Sequence, residues 1–175
     1  MSESKTENPK VEFETNLGNF TLELYPDTAP ATVANFLAYV DDGFYEGLIF
    51  HRIISHFMIQ GGGYTGLDQE KSDGLKPPIR NEASGSISNE RGTISMARTA
   101  DPHSATSQFF INVVDNDMLD ANAQSDGYCA FGRVVDGMDI VDKIKDVPCV
   151  PHPMMPGENS LPAEPPVIVK ISRAS

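Results

Sequence analysis

The sequence predicts a mainly β protein, built as a closed antiparallel barrel with two helices set between strands that come from both ends of the chain. Three observations carry this. Short runs of period-two alternation recur along the chain, only two stretches show helical spacing, and 14 Gly with 13 Pro in 175 residues favour turns over long helices. A closed barrel suits this order because it lets the first and last strands lie side by side.

The first strand reads from Val11, Phe13 and Thr15 alternating with Glu12 and Glu14, and the second from Phe20, Leu22 and Leu24. Asn16-Leu17-Gly18-Asn19 supplies the hairpin turn. Thr28 is placed to cap a helix with Pro30 in its first turn. Val33, Phe36, Leu37 and Val40 then fall at i, i+3, i+4 and i+7 as ordinary core packing, and Gly43 ends the helix. Ile49–Ile54 and Phe57–Gln60 read as strands, followed by Gly61-Gly62-Gly63, where the backbone can bend or pass close to another group.

Residues 64–90 read as loop. Strand patterns return at Gly92–Ala97, Gln108–Val114 and Tyr128–Val135. A second helix begins near Asp136, with Ile140, Ile144 and Val147 on its buried stripe. Pro148, Pro151, Pro153, Pro156, Pro162, Pro165 and Pro166 make residues 148–166 an exposed loop. Val167–Ile171 is the last strand. No internal repeat interrupts this order, so residues 1–10 are expected to form a flexible polar leader and residues 11–175 a single domain.

The formal net charge of −12 argues against nucleic acid or an anionic membrane as partner, because like charges repel. Cys129 and Cys149 match neither a metal-binding pair nor a secreted disulfide framework, so reduced thiols are expected. Met1–Lys10 lacks an apolar signal core, and no run of about 18 apolar residues occurs. The expected location is the cytoplasm.

His51, His56, His103 and His152 lack the i, i+4 spacing and clustered partners of a zinc site, so no metal is expected. Ser107 lacks a GxSxG elbow, and no GxGxxG or GxxxxGK phosphate loop is present. Hydrolase and nucleotide chemistry are thereby disfavoured.

The segment Phe50-His51-Arg52-Ile53-Ile54-Ser55-His56-Phe57-Met58-Ile59-Gln60-Gly61-Gly62-Gly63 carries an FHR motif and, after a short turn, FMxQGG. With Gly92–Ala97, Ser107–Ile111, Leu119 and Tyr128–Gly132, it resembles the signatures of the cyclophilins. The similarity spans about Val11 to Ile171. It is strongest to the cytosolic bacterial cyclophilins of the B type, which share the MART and PHSAT stretches found at Met96–Thr99 and Pro102–Thr106.

This resemblance implies an eight-stranded barrel capped at both ends by helices, with a groove on its outer face that isomerises X-Pro peptide bonds. No cofactor is implied. Carried over by position, Arg52 and Gln60 are the implied catalytic residues. Phe57, Met58, Phe110 and Leu119 would form the proline pocket, and Ala97, Arg98, Gln108, Met118 and Tyr128 the remaining walls. Proline-containing peptides and folding proteins are the implied partners, met by a monomer.

The residues themselves admit plainer roles. Arg52 alone reads as a surface ion pair, Phe57, Met58 and Phe110 as barrel core, and Gln60 and Gln108 as turn-stabilising amides. The same groove would also serve a binding module without turnover, although an intact Arg52 favours the enzyme. Two departures stand out. Met118 occupies the place of a tryptophan found in many relatives, which implies weak cyclosporin binding, and Tyr128 replaces a histidine.

Overall fold

Val11, Phe13 and Thr15 bury one face of β1 (Lys10–Thr15), and Phe20, Leu22 and Leu24 bury the matching face of β2 (Gly18–Leu24). The structure, a computed structural model, describes residues 8–174. Residues 1–7 of the expected leader lie outside the described residues, whereas the Pro9 carbonyl already accepts from Leu24 N at 2.8 Å. Six further strands follow: β3 (Phe50–Ile54), β4 (Met58–Gly61), β5 (Thr93–Met96), β6 (Phe109–Asn112), β7 (Ala130–Asp136) and β8 (Ile168–Ala174). They form one antiparallel sheet in the order β8-β1-β2-β7-β5-β6-β4-β3.

The barrel is not fully closed, which corrects the sequence expectation. Among the described residues β3 and β8, the two edges of the sheet, share no continuous ladder. A single bridge, Ile49 to Val167, joins this seam, helped by Phe50 N to Pro166 O at 3.0 Å and Ile168 N to Leu48 O at 2.7 Å. The reason is local: Pro165 and Pro166 have no N–H to donate just where pairing would continue. The result is a curled sheet with a loosely stitched seam.

Helix α1 (Pro30–Asp41) lays Val33, Phe36, Leu37 and Val40 into the core as its spacing predicts. Phe36 stands edge-on to Phe109, with centroids 5.9 Å apart, and 5.3 Å from Phe131, so the helix plugs one end of the sheet with aromatic rings. Its cap differs from expectation. The Thr28 hydroxyl donates to Tyr25 O instead, and the free amides of Ala31 and Thr32 donate to the Glu82 carboxylate at 3.2 and 2.7 Å. A carboxylate at a helix N-terminus satisfies orphan N–H groups and complements the dipole. Gly43, at φ +69°, ends the helix while its N–H bonds Val40 O at 3.1 Å and Phe44 N bonds Tyr39 O at 3.0 Å.

Helix α2 (Met138–Lys145) starts two residues later than expected because Asp136 still belongs to β7. Val141 and Ile144 are its fully buried residues, with Ile140 and Val147 packed at the margin. Two stretches read as loop contain small antiparallel ribbons, Tyr64–Gly66 with Gln69–Glu70 and Cys149–Val150 with Leu161–Pro162. Both are too short for period two to reveal them. No helix among the described residues is long and apolar enough to cross a membrane.

Candidate active site

Strand register builds the site. On the inner face, Ile53, Ile59, Ile111 and Ile94 are successive cross-strand partners and all are buried. On the opposite face the same ladder aligns Arg52, Gln60, Phe110 and Ser95. Side chains alternate between faces, so a row of isoleucines inside requires this row outside. Neighbouring Phe109 and Phe110 illustrate it: the first enters the aromatic core, the second floors a groove.

That groove encloses about 280 Å³ and is lined by Arg52, Phe57, Met58, Gln60, Ala97, Arg98, Phe110, Leu119 and Tyr128. Phe57, Met58, Ala97, Phe110 and Leu119 give it an apolar lining, while Arg52, Gln60, Arg98 and Tyr128 bring polar groups. The Phe110 and Tyr128 rings meet edge-on with centroids 5.7 Å apart. Arg98 stacks over the Tyr128 ring at 4.4 Å and donates from Nη2 to Gly127 O at 2.9 Å, tying the wall at 97–98 to the wall at 127–128.

The walls are braced from behind. Tyr128 N donates to Leu119 O at 2.8 Å. Buried Asn89 donates to Asp120 Oδ1 at 2.9 Å and to Tyr128 O at 3.1 Å, and Ser88 donates to the other Asp120 oxygen at 2.5 Å. Burial would raise the Asp120 carboxyl, but the hydrogen bonds from Ser88 and Asn89 outweigh it and hold the group below its ordinary value. Asn116 fixes the Phe57 carbonyl through a 2.9 Å bond.

Arg52 is held on one side by a partner the sequence did not suggest. Its Nε and Nη2 donate to the two oxygens of Glu158 at 3.1 and 2.9 Å, and Nη1 approaches Gln60 Oε1 at 3.4 Å. Gln60 Nε2 in turn donates to Gln108 Oε1 at 3.1 Å. The hydrogen bond from Arg52 holds the Glu158 carboxyl below its usual value, against the opposing effect of burial. Guanidinium groups carry five N–H bonds, so one remains on each terminal nitrogen of Arg52.

A family model for cyclophilin type peptidyl-prolyl cis-trans isomerases matches residues 10–173. The chain belongs to this family. Peptidyl-prolyl cis-trans isomerase B of Escherichia coli is 55% identical over 141 residues, which cover 78% of this chain and 84% of that one. A peptidyl-prolyl cis-trans isomerase of Acinetobacter baylyi is 49% identical over 164 residues, 94% of this chain and 85% of the relative. The crystal structure of a Cryptosporidium parvum cyclophilin, in the presence of the dipeptide Ala-Pro, superposes with a TM-score of 0.77 at 28% identity, covering 95% of this chain and 99% of that one. The protein is thus a cyclophilin that catalyses cis-trans isomerisation of X-Pro bonds.

Two of the sequence-expected groove residues stand apart in this cyclophilin. Gln108 does not line the cavity but bonds Gln60, and it packs so closely on Gly63 that a Cβ there would collide with it. Met118 is 65% exposed, beside Leu119 on a single turn of 3-10 helix (Asp117–Leu119), and does not line the cavity. Glu158, Ser160 and Asn89 join the site with no signal in the sequence. Nothing in the turn Pro156-Gly157-Glu158 signals a partner 106 residues away. Among the described residues no cluster of three or more His, Cys, Asp or Glu is arranged to hold a metal.

Proposed function

We propose that Arg52 is the group that accelerates X-Pro rotation, with Gln60 holding the substrate backbone and Phe57, Met58, Phe110 and Leu119 receiving the pyrrolidine ring. The bond resists rotation by about 18–20 kcal/mol because the nitrogen lone pair is shared with the carbonyl. In the twisted transition state that sharing ends, the nitrogen becomes pyramidal, and it can accept a hydrogen bond that the planar amide cannot. A donor fixed at that point stabilises the transition state over the ground state. The observation that carries the reading is the cross-strand row Arg52–Gln60–Phe110, which sets a guanidinium with N–H groups to spare at the edge of an apolar floor.

The remaining roles follow from position. Ala97, Arg98 and Tyr128 wall the peptide path, and Gln108 acts through Gln60 by fixing its amide. Proline-containing peptides and folding proteins are the substrates, handled by residues 11–175 as one monomeric domain without a cofactor. Two free thiols, Cys129 and Cys149, support a reducing cytoplasmic setting.

Exchange NMR on a short Ala-Pro peptide tests the activity. The wild-type protein is expected to bring cis-trans exchange from tens of seconds into the sub-second range. An exchange rate unchanged by protein that nonetheless binds the peptide would overturn the reading.

The exposed Met118 bears on inhibitors. It offers a flexible thioether and no N–H, so cyclosporin should bind weakly, and Met118→Trp should tighten it about tenfold while leaving peptide isomerisation unchanged. Calorimetry with both proteins reads this, and equal affinities would sink it.

A further inference from the structure

We propose that Glu158, on the proline-rich loop, is a positioning residue that sets the aim of Arg52; this rests on Arg52 being the transition-state donor. Arg52 projects from β3 on a long side chain with several free torsions, and a donor that swings does not stay on a target one atom wide. Glu158 removes that freedom. Its two oxygens grip Nε and Nη2, the two nitrogens along one edge of the guanidinium, so the plane is fixed as well as the position. The edge left over, Nη1 with the outer N–H of Nη2, is the edge beside Gln60 and the groove.

Glu158 can impose an orientation because it is itself anchored. Ser160 donates to its Oε2 at 2.5 Å, its own N–H donates to Met155 O at 3.0 Å, and its carbonyl accepts from His152 N at 2.8 Å. The loop is then pinned to β3 one residue beyond Arg52, where Ile53 N donates to Ser160 O at 2.9 Å. Ser160 is fully buried at this junction. An incidental surface ion pair has no such scaffold, and the side chains of Arg52 and Glu158 are only 26% and 23% exposed.

The proline-rich loop thereby gains a function: it carries the strut that aims a donor on a strand far away in sequence. The groups facing Arg52 are then Glu158, Gln60 and, behind the pair, Ser160, so a neutral amide at position 158 keeps one acceptor and an alanine keeps none.

Catalysed exchange of an Ala-Pro peptide, measured at several peptide concentrations, tests this with Glu158→Ala, Glu158→Gln, Arg52→Ala and the double variant Arg52→Ala/Glu158→Ala. Glu158→Ala is expected to lower kcat about tenfold with KM within about twofold, and Glu158→Gln to recover part of the loss. In the Arg52→Ala background, Glu158→Ala should cost nothing further, since the strut has nothing left to hold. The Nε–H resonance of Arg52 provides a readout independent of turnover: it should be sharp and slow to exchange with water in wild type and broadened in Glu158→Ala.

An unchanged kcat in Glu158→Ala, or an Arg52 resonance equally protected in it, overturns the positioning role while leaving Arg52 as donor. Equal losses in both backgrounds also overturn it, because they would mean Glu158 acts on the fold. If Arg52→Ala itself retains wild-type catalysis, the donor reading fails and the strut with it.

Discussion

Arg52→Ala is expected to reduce kcat/KM for an Ala-Pro peptide about a hundredfold, the cost of removing one well-aimed donor from a preorganised site. The loss should fall mainly on kcat, because the apolar lining of Met58, Phe110 and Leu119, which we propose receives the ring, is untouched. Arg52→Lys separates charge from geometry. Lysine keeps the positive charge but has no planar fork with which to grip both Glu158 oxygens and still present a fixed N–H, so most of the loss should persist. A lysine variant near wild-type rate would show that charge alone suffices.

The second large effect is on stability. His51 precedes Arg52 on β3, its ring is 4.2 Å from that of Tyr64, and its buried Nδ1 has no hydrogen-bond partner. Burial, reinforced by Arg52 and His152, lowers its pKa from 6.5 to about 4. Between those values the unfolded chain holds a proton that the folded protein does not, so stability rises with pH. The full benefit is present above pH 6.5 and is lost as pH falls to about 4, a change on the order of 3 kcal/mol.

Urea unfolding across that range should follow this slope, and His51→Phe, which keeps a ring against Tyr64, should flatten it. Glu158 also has a lowered value, but its contribution disappears only below the ordinary carboxylate value of 4.5, so the interval from 4.5 to 6.5 isolates His51. An identical slope in His51→Phe would assign the effect elsewhere. At neutral pH the ring carries no charge beside the Arg52 guanidinium.

What the sequence reveals and what it conceals follow from distance along the chain. Val11, Phe13 and Thr15, or Val33, Phe36 and Leu37, announce their elements because strand and helix periods are local. The groove was reachable only through the motif around Arg52, since Phe109 and Phe110 look alike until register sends one inward and the other out. Glu82 and Glu158 were invisible because each meets its partner, α1 or Arg52, across about 50 and 106 residues. Met118 is implied as a groove wall by the resemblance, at the place of a tryptophan in many relatives, but a 3-10 turn gives it and Leu119 different exposures. The open seam between β3 and β8 is hidden from the sequence because strand order does not reveal where Pro165 and Pro166 interrupt pairing.

The pairing of β1 with β8 has a consequence for how the chain is made. Lys10–Thr15 leaves the ribosome early, yet one of its edges stays unpaired until Ile168–Ala174 has been synthesised. Until then, the Val11 and Phe13 strand must wait with exposed N–H and C=O groups, open to pairing with other nascent chains. Glu12 and Glu14, charged residues on that same strand, are well suited to keep the waiting edge from aggregating.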